Sequence, residues 1–441
     1  MLFDVLGLCV ALAVVVAGLV RKGGYVQAPC AVAVVYLGWV APQMAALRAD
    51  LFLPPDGLAA LQLMTLLCLI GVIAGWEIAK RGRIGATVQV PAPLPVKAMI
   101  FPVAALTAFV ALMTLLIALQ PEEARQADQW SGPITVFAFF GQLRIVPLAL
   151  ALLMVLHKRT PWTLLLLAAN VALTFPIVFV LMRRSEMVDV TFATVGALWL
   201  ARRIRIPAPV LVVGATVLAV VVFSISELRK ASEQIYVQSG ERPALFDKRL
   251  LGEVNFQSTT GNSIKNAPDL RNAVYVIKYT KDSGDYMLGG VVWNDFVFQW
   301  VPGQIVGYEF KKRLMSNRGG LYTQINNQYD YKYDTGTTST GFGASYQDLA
   351  YFGAIFFAIM AGIIRLIYNR AMTGDPWMQA LYLTATPLVL TSITHGHGKF
   401  FAAFPLFAAA IFSVRALASR SGRVLPFRGR TRSSAPSRRT T

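Results

Sequence analysis

Charge is scarce in this chain. Only 15 % of its 441 residues are Asp, Glu, Lys or Arg, where a soluble domain holds about 25 %. Hydrophobic residues make up 55 %, and the mean hydropathy is +0.53. These values exclude a soluble enzyme with one ordinary core. Cysteine is scarce too. Cys9, Cys30 and Cys68 all fall in apolar segments and show no metal-site spacing. They are expected to be small buried apolar residues, and a disulfide framework is excluded. No GxxxxGK[ST], HExxH or GxSxG pattern occurs, so an energy-driven pump, a zinc protease and a serine-elbow hydrolase find no support.

Long apolar runs dominate what is present. Eleven stretches are long enough to read as bilayer spans: about 2–20, 25–47, 58–79, 98–119, 134–156, 161–182, 187–201, 207–226, 348–367, 377–394 and 400–416. The seventh is short and contains Asp189. The first lacks a basic leader; Asp4 sits there, and Arg21 and Lys22 follow it. It reads as a first transmembrane helix, not a cleaved signal peptide. The fold class expected is an all-α polytopic membrane protein.

Acidic residues are the minority, 23 against 41 basic, for a net charge of +18. In a soluble protein that would suggest nucleic acid. Here eight arginines lie from residue 415 onward, Arg415, Arg420, Arg423, Arg428, Arg430, Arg432, Arg438 and Arg439, with no acidic residue among them. Such a tail reads as a topology signal near anionic lipid, and no nucleic-acid partner is expected. With the tail inside, the inside loops hold Arg21, Lys22, Lys80, Arg81, Arg83, Lys97, Lys158, Arg159, Arg202, Arg203, Arg205 and Arg370. The short outside loops hold Arg48, Arg125, Arg183 and Arg184. Both readings put the N-terminus outside and the C-terminus inside.

Four regions follow: a bundle over 1–226, a long outside loop over 227–347, a second bundle over 348–416 and a disordered tail over 417–441. A loop that long is functional or a domain. It is nearly neutral, with 14 basic and 12 acidic residues, and holds ten of the fifteen tyrosines. With Trp293 and Trp300 these present broad faces with polar tips, suited to sugar rings and equally to an interfacial aromatic belt. Pro268 to Lys281 has helical apolar spacing. Leu288 to Val301 is too short to span and reads as interfacial or re-entrant. Tyr329 to Gly343, rich in Tyr, Asp, Thr and Gly, reads as irregular and exposed.

Ionisable groups near membrane depth are costly and usually functional. Arg183 and Arg184 end a span on the outside, where arginine is disfavoured, with Glu186 and Asp189 close behind. The guanidinium fork suits a diphosphate; an ion pair with Glu186 or Asp189, or snorkelling to headgroups, remain open alternatives. Arg144 lies about ten residues into the fifth span and needs a partner or an anion. Thr394 to Lys399 joins the last two spans and holds His395 and His397; either is a candidate general base or a polar turn residue. Lys399 is a candidate phosphate ligand. Asp295 and Asp348 are carboxylates in apolar company, each a candidate base or a satisfied cap. No third ligand accompanies the histidines, so no metal is expected.

The stretches Asp285–Lys311 (DYMLGGVVWNDFVFQWVPGQIVGYEFK) and Thr340–Ile367 (TGFGASYQDLAYFGAIFFAIMAGIIRLI), with Arg183 opening a span, resemble bacterial O-antigen and exopolysaccharide repeat-unit polymerases (the Wzy type). Where members of that family often have Pro-Arg, this chain has Pro302-Gly303; Lys311 or Arg313 is the expected substitute. The resemblance implies a GT-C-like architecture in the bacterial inner membrane, the N-terminus periplasmic and the C-terminus cytoplasmic. It implies a metal-independent, cofactor-free glycosyltransferase that joins repeats carried on undecaprenyl diphosphate, with membrane lipid and a chain-length regulator as partners. Diphosphate binding is then expected of Arg183, Arg184 and Arg144, with Arg271 and Lys399 as second choices. His395, His397, Asp348 or Glu186 would serve catalysis, and Tyr286, Trp293, Trp300 and Tyr346 would hold sugar. Rival readings are an O-antigen ligase, a lipid-linked sugar flippase and a non-catalytic envelope scaffold.

Overall fold

In the computed structural model the described residues are 2–81, 94–121, 132–181, 183–240, 243, 247–248, 267–316, 320–333 and 337–423. Among them the chain is all-helical, with no strand. The long helices are α1 (Leu2–Val20), α2 (Ala28–Leu47), α3 (Pro55–Arg81), α4 (Val96–Ala118), α5 (Pro133–His157), α6 (Pro161–Phe179), α7 (Arg184–Arg202) and α8 (Ala208–Ser239). Short helices follow: α9 (Pro268–Ser283), α10 (Gly290–Trp300), α11 (Gly303–Val306), α12 (Tyr308–Leu314), α13 (Leu321–Tyr329) and α14 (Thr340–Leu349). The last three are α15 (Ala354–Met372), α16 (Pro376–His395) and α17 (Gly398–Arg423).

Eight helices among the described residues are long and apolar enough to cross a membrane, so the chain is an α-helical polytopic membrane protein. The eight cover the first six expected spans, the ninth and the eleventh. The other three positions are helical as well, and each departs from a lipid-facing composition for its own reason. α7 carries Arg184, Glu186, Asp189 and Arg202. α8 is apolar only over Ala208–Val222 and then runs on to Ser239, so the helix continues well past the expected edge at 226. α16 is buried along nearly its whole length, Thr384, Thr386 and Ser392 included. A helix walled in by protein needs no greasy face. The Thr384 and Ser392 hydroxyls return to the helix's own carbonyls, Thr384 to Ala380 at 3.0 Å and Ser392 to Leu388 at 2.8 Å.

Small residues set the tightest seam. On α3, Gly71, Gly75 and Ala79 repeat every four residues; on α15, Ala354, Ala358 and Gly362 do the same. A Cβ on Gly75 would overlap the Ala358 carbonyl, and one on Gly71 would lie 2.7 Å from the Ala354 carbonyl oxygen. Backbones approach this closely only where side chains are small. Two expectations are corrected here. Cys30 and Cys68 are buried, but Cys9 is exposed on the outer face of α1. The stretch expected to be irregular to Gly343 instead enters α14 at Thr340, and every residue from Thr340 to Asp348 is buried. Helices around it leave no room: a Cβ on Gly341 would overlap the Ser392 carbonyl.

The loop helices sit on one end of the bundle. Arg271 pairs with Asp50 at 2.7 Å and Lys278 with Asp56 at 3.1 Å. Arg48 pairs with Asp4 at the same end. At the opposite end Tyr25 donates to the Ile204 carbonyl at 3.1 Å and Arg203 to the Met372 carbonyl at 2.8 Å. The start of α1, the turn after α2 and the long loop therefore share one face. The tail beyond residue 423, with Arg428, Arg430, Arg432, Arg438 and Arg439, lies outside the described residues, as do Arg83, Arg125, Arg242 and Arg249.

Candidate functional site

The loop-bearing face gathers charge that lies far apart in sequence. Arg183 is the N-cap of α7 and Arg184 its first residue, a few residues after α6 ends at Phe179. Lys399 is the second residue of α17, and His395 ends α16 one turn away across Gly396. Lys399 is within electrostatic reach of Asp189, Glu186, Asp295 and Arg183. His395 is within reach of Lys399 and Arg184, and Arg184 of Asp269. Protein surrounds His395 on most sides, yet its ring remains open to solvent. These charged groups and His395 thus form one partly enclosed cluster that reaches solvent at His395, hereafter the recess.

The floor of the recess is an ion pair. α5 tightens to a single 3-10 turn at Gln142–Arg144, which turns Arg144 toward α7. Its guanidinium meets Glu186 through two hydrogen bonds, the Nε–Oε2 one at 2.8 Å, and a third goes to the Gly141 carbonyl at 3.1 Å. Both side chains are nearly shut off from solvent, at 11 % and 12 % exposure. Breaking such a pair from one side leaves a bare charge, at about 3–5 kcal/mol.

Asp295 of α10 closes another wall, so tightly that a Cβ on Gly398 would overlap its carboxylate. Asp269, in the first turn of α9, accepts from the Thr338 amide at 2.8 Å. Burial pushes its carboxyl above the ordinary range, against the opposing pull of Thr338 and Arg184. Thr338 also donates to the Thr394 carbonyl, which ties α9 to the end of α16. Thr394 donates to the Thr391 carbonyl at 3.0 Å. Its oxygen, 2.7 Å from His395 Nδ1, is therefore best read as accepting an Nδ1–H. His395 Nε2 then carries the lone pair, the state a general base needs.

His397 and Asp348 lie behind the recess, not in it. Both side chains are fully buried, with His397 Nε2 2.9 Å from Asp348 Oδ2. His397 Nδ1 is 3.0 Å from Ser345 Oγ. Glu186 is taken up by Arg144, and Arg271 by Asp50. The four expected sugar contacts fall into two pairs. Tyr286 and Tyr346 approach at 6.3 Å between ring centroids, Tyr346 being buried. Trp293, Phe296 and Trp300 stack along α10 at 6.3 and 5.8 Å, beside Asp295. Trp300 is anchored by an Nε1–H bond to the Ala402 carbonyl at 2.8 Å. Lys311 donates to the Phe298 carbonyl at 2.8 Å on the far side of that helix.

Sequence reasoning singled out Arg144, Arg183, Arg184, Glu186, His395 and Lys399, and the structure gathers these six at one place. It passed over Ser345 and Asp269. Nothing in local spacing marks either, since 52 residues separate Ser345 from its histidine. No group of three or more His, Cys, Asp or Glu side chains that could hold a metal occurs among the described residues. Compared with known proteins, the chain matches no family model, no curated protein and no solved structure.

Proposed function

We propose that the protein is a membrane glycosyltransferase of GT-C-like build that polymerises oligosaccharide repeats carried on undecaprenyl diphosphate at the periplasmic face of a bacterial inner membrane. One observation carries the reading: Arg183, Arg184 and Lys399 converge with His395 in a recess at the loop-bearing face, beside the aromatic face of α10. An acceptor hydroxyl attacks the anomeric carbon of the donor. The bond from that carbon to the diphosphate oxygen breaks, and the lipid diphosphate leaves with the electron pair. Guanidinium and ammonium groups stabilise the charge that grows on it without a metal. The hydroxyl proton passes to His395 Nε2 or to Asp295, the bases that border the cations.

Glu186, Asp269 and Asp295 lie among Arg144, Arg183, Arg184 and Lys399 and offset part of their charge. A recess holding four uncompensated cations would be unstable when empty. The carboxylates lower that charge at rest, and the diphosphate takes over the arginine donors on binding. Tyr and Trp faces beside it offer stacking for sugar rings. A chain-length regulator is the expected protein partner.

The test is polymer formation in membranes supplied with lipid-linked repeats. The wild-type chain should make a ladder of products. Arg183→Gln with Arg184→Gln should abolish the ladder at normal expression, while Arg271→Gln, which sits in the Asp50 pair, should leave it. A ladder of normal length from the stably expressed double variant overturns the assignment. Single transfers to another acceptor, with no ladder, point to a ligase.

A further inference from the structure

The turn that delivers His395 and Lys399 to the recess is held from behind. Between those two residues His397 points away into protein, its ring fully buried and stacked on Phe356 at 4.2 Å. Both ring nitrogens are engaged, by Ser345 and Asp348. The other oxygen of Asp348 accepts the Val291 amide at 2.9 Å, and the Asp348 carbonyl accepts the Leu288 amide at 3.0 Å. One chain of polar groups thus joins the start of α10, the body of α14 and the α16–α17 turn.

Backbone strain gathers at the same junction. Leu288, Thr340 and Ala350 hold φ of 49°, 57° and 49°, left-handed values that side chains rarely adopt. Gly396, at φ 107°, bends the turn itself. A Cβ on Gly353 would overlap the Ser345 carbonyl. Conformations of this kind persist only where surroundings over-determine them, and they cluster at functional sites. Packing alone does not call for a buried His–Asp pair, because apolar side chains of equal volume hold a junction at least as well. Hydrogen bonds add direction.

We infer that Ser345, Asp348 and His397 are positioning residues: their hydrogen-bonded chain fixes the depth and direction at which the α16–α17 turn presents His395 and Lys399 to the recess. With His397 neutral, Ser345 donates to Nδ1 and Nε2–H donates to the Asp348 carboxylate, so every site on the ring is used. An asparagine at 348 supports the same geometry with polarity reversed: its amide donates to Nε2, and Nδ1–H turns to Ser345 Oγ. Alanine at 345, or leucine at 348, breaks the chain.

The inference rests on the proposed glycosyl transfer only for its kinetic readout. The full-length chain, purified in lipid nanodiscs, is compared as wild type, Ser345→Ala, Asp348→Leu and Asp348→Asn. Three quantities are read: the acylation rate of Lys399 by an amine reagent, followed by peptide mass spectrometry; the thermal midpoint; and kcat and KM for the lipid diphosphate donor. Ser345→Ala should change Lys399 acylation severalfold with little change in midpoint. It should lower kcat/KM by about ten- to a hundredfold, the scale of a misplaced catalytic group. Asp348→Asn should keep both near wild type. Asp348→Leu should resemble Ser345→Ala or fail to fold; either outcome agrees, since Ser345→Ala carries the result. Unchanged Lys399 reactivity in folded Ser345→Ala overturns the inference. So does an Asp348→Asn chain that folds normally but is inactive, because that result makes Asp348 a proton carrier. Absence of transfer by the wild type would sink the glycosyltransferase reading, while the acylation rates still decide this one.

Discussion

At the scale of single residues, the recess is governed by which charges can be left alone. Arg144 and Glu186 are nearly dry and grip each other through two hydrogen bonds. Glu186→Gln removes the compensating charge and leaves the guanidinium buried, which should lower stability by about 3–5 kcal/mol. Changing both, Arg144→Met with Glu186→Leu, should recover most of that loss, because no bare charge remains. Thermal unfolding of the purified variants reads both effects; an unchanged midpoint in Glu186→Gln would mean water reaches the pair. Gly398 poses a steric question instead. A methyl there meets the Asp295 carboxylate, so Gly398→Ala should displace Asp295 and depress transfer more than it depresses stability, as a comparison of product yield with the thermal midpoint would read. The sequence announced the arginines because guanidinium groups at span ends are costly and few. It was silent on Ser345 and Asp269, whose partners arrive from distant segments and whose side chains are ordinary in any loop.

At the scale of elements, helices were legible and their boundaries were not. Among the described residues a helix lies at each of the eleven apolar runs, eight of them long and apolar enough to cross a membrane, where every backbone group must be satisfied within its own segment. The edges shifted where a different force took over. α8 runs past its apolar stretch to Ser239 because Ile225, Leu228, Ala231 and Ile235 give it a face against Val178 and Met187. α14 is a buried helix in spite of its glycines, since those glycines let it wedge against Ser392 and Ala273. The α3–α15 seam is equally specific. Gly75→Val should force the two backbones apart and cost at least the roughly 1–3 kcal/mol of ordinary overpacking, whereas the same change at Gly214, with open space around it, should cost far less; thermal midpoints of the two variants decide. The loop is clasped to the bundle by Lys278 with Asp56, and the same ammonium pairs within α9 with Asp282. The Lys278 ammonium and the Tyr329 hydroxyl hold the Asp282 carboxyl below its ordinary value. A depressed carboxyl contributes stability above its unfolded value, about 3.9, and loses it as pH falls through the lower folded value. Protection of α9 from hydrogen exchange should therefore hold down to about pH 4 and fall below it. In Lys278→Met the fall should begin at higher pH; coincident curves would show that the clasp does not hold the loop.

At the scale of the whole molecule, the two faces differ in a way that fixes what the recess can meet. One end of the bundle carries Arg21, Lys22, Lys158, Arg159, Arg202, Arg203, Arg205 and Arg370. The other carries the loop helices, the Arg48–Asp4 and Arg271–Asp50 pairs and the recess. Short basic loops stay on the cytoplasmic side, so the recess should open outward. Sequence patterning supports an orientation because insertion reads the same lysines and arginines one loop at a time; the gathering of the recess was not legible there, since it depends on α7, α10, α16 and α17 meeting in three dimensions. The orientation is open to direct test. In a chain with Cys9, Cys30 and Cys68 replaced by alanine, Asn327→Cys lies on the exposed face of α13 and Ser419→Cys near the exposed end of α17. A membrane-impermeant maleimide added to cells with a permeable outer envelope should label position 327 at once. Position 419 should react only after the inner membrane is broken. The reverse order would turn the recess toward the cytoplasm, away from any acceptor glycan outside, and the arginines would then have to serve a substrate made and used on the inner side.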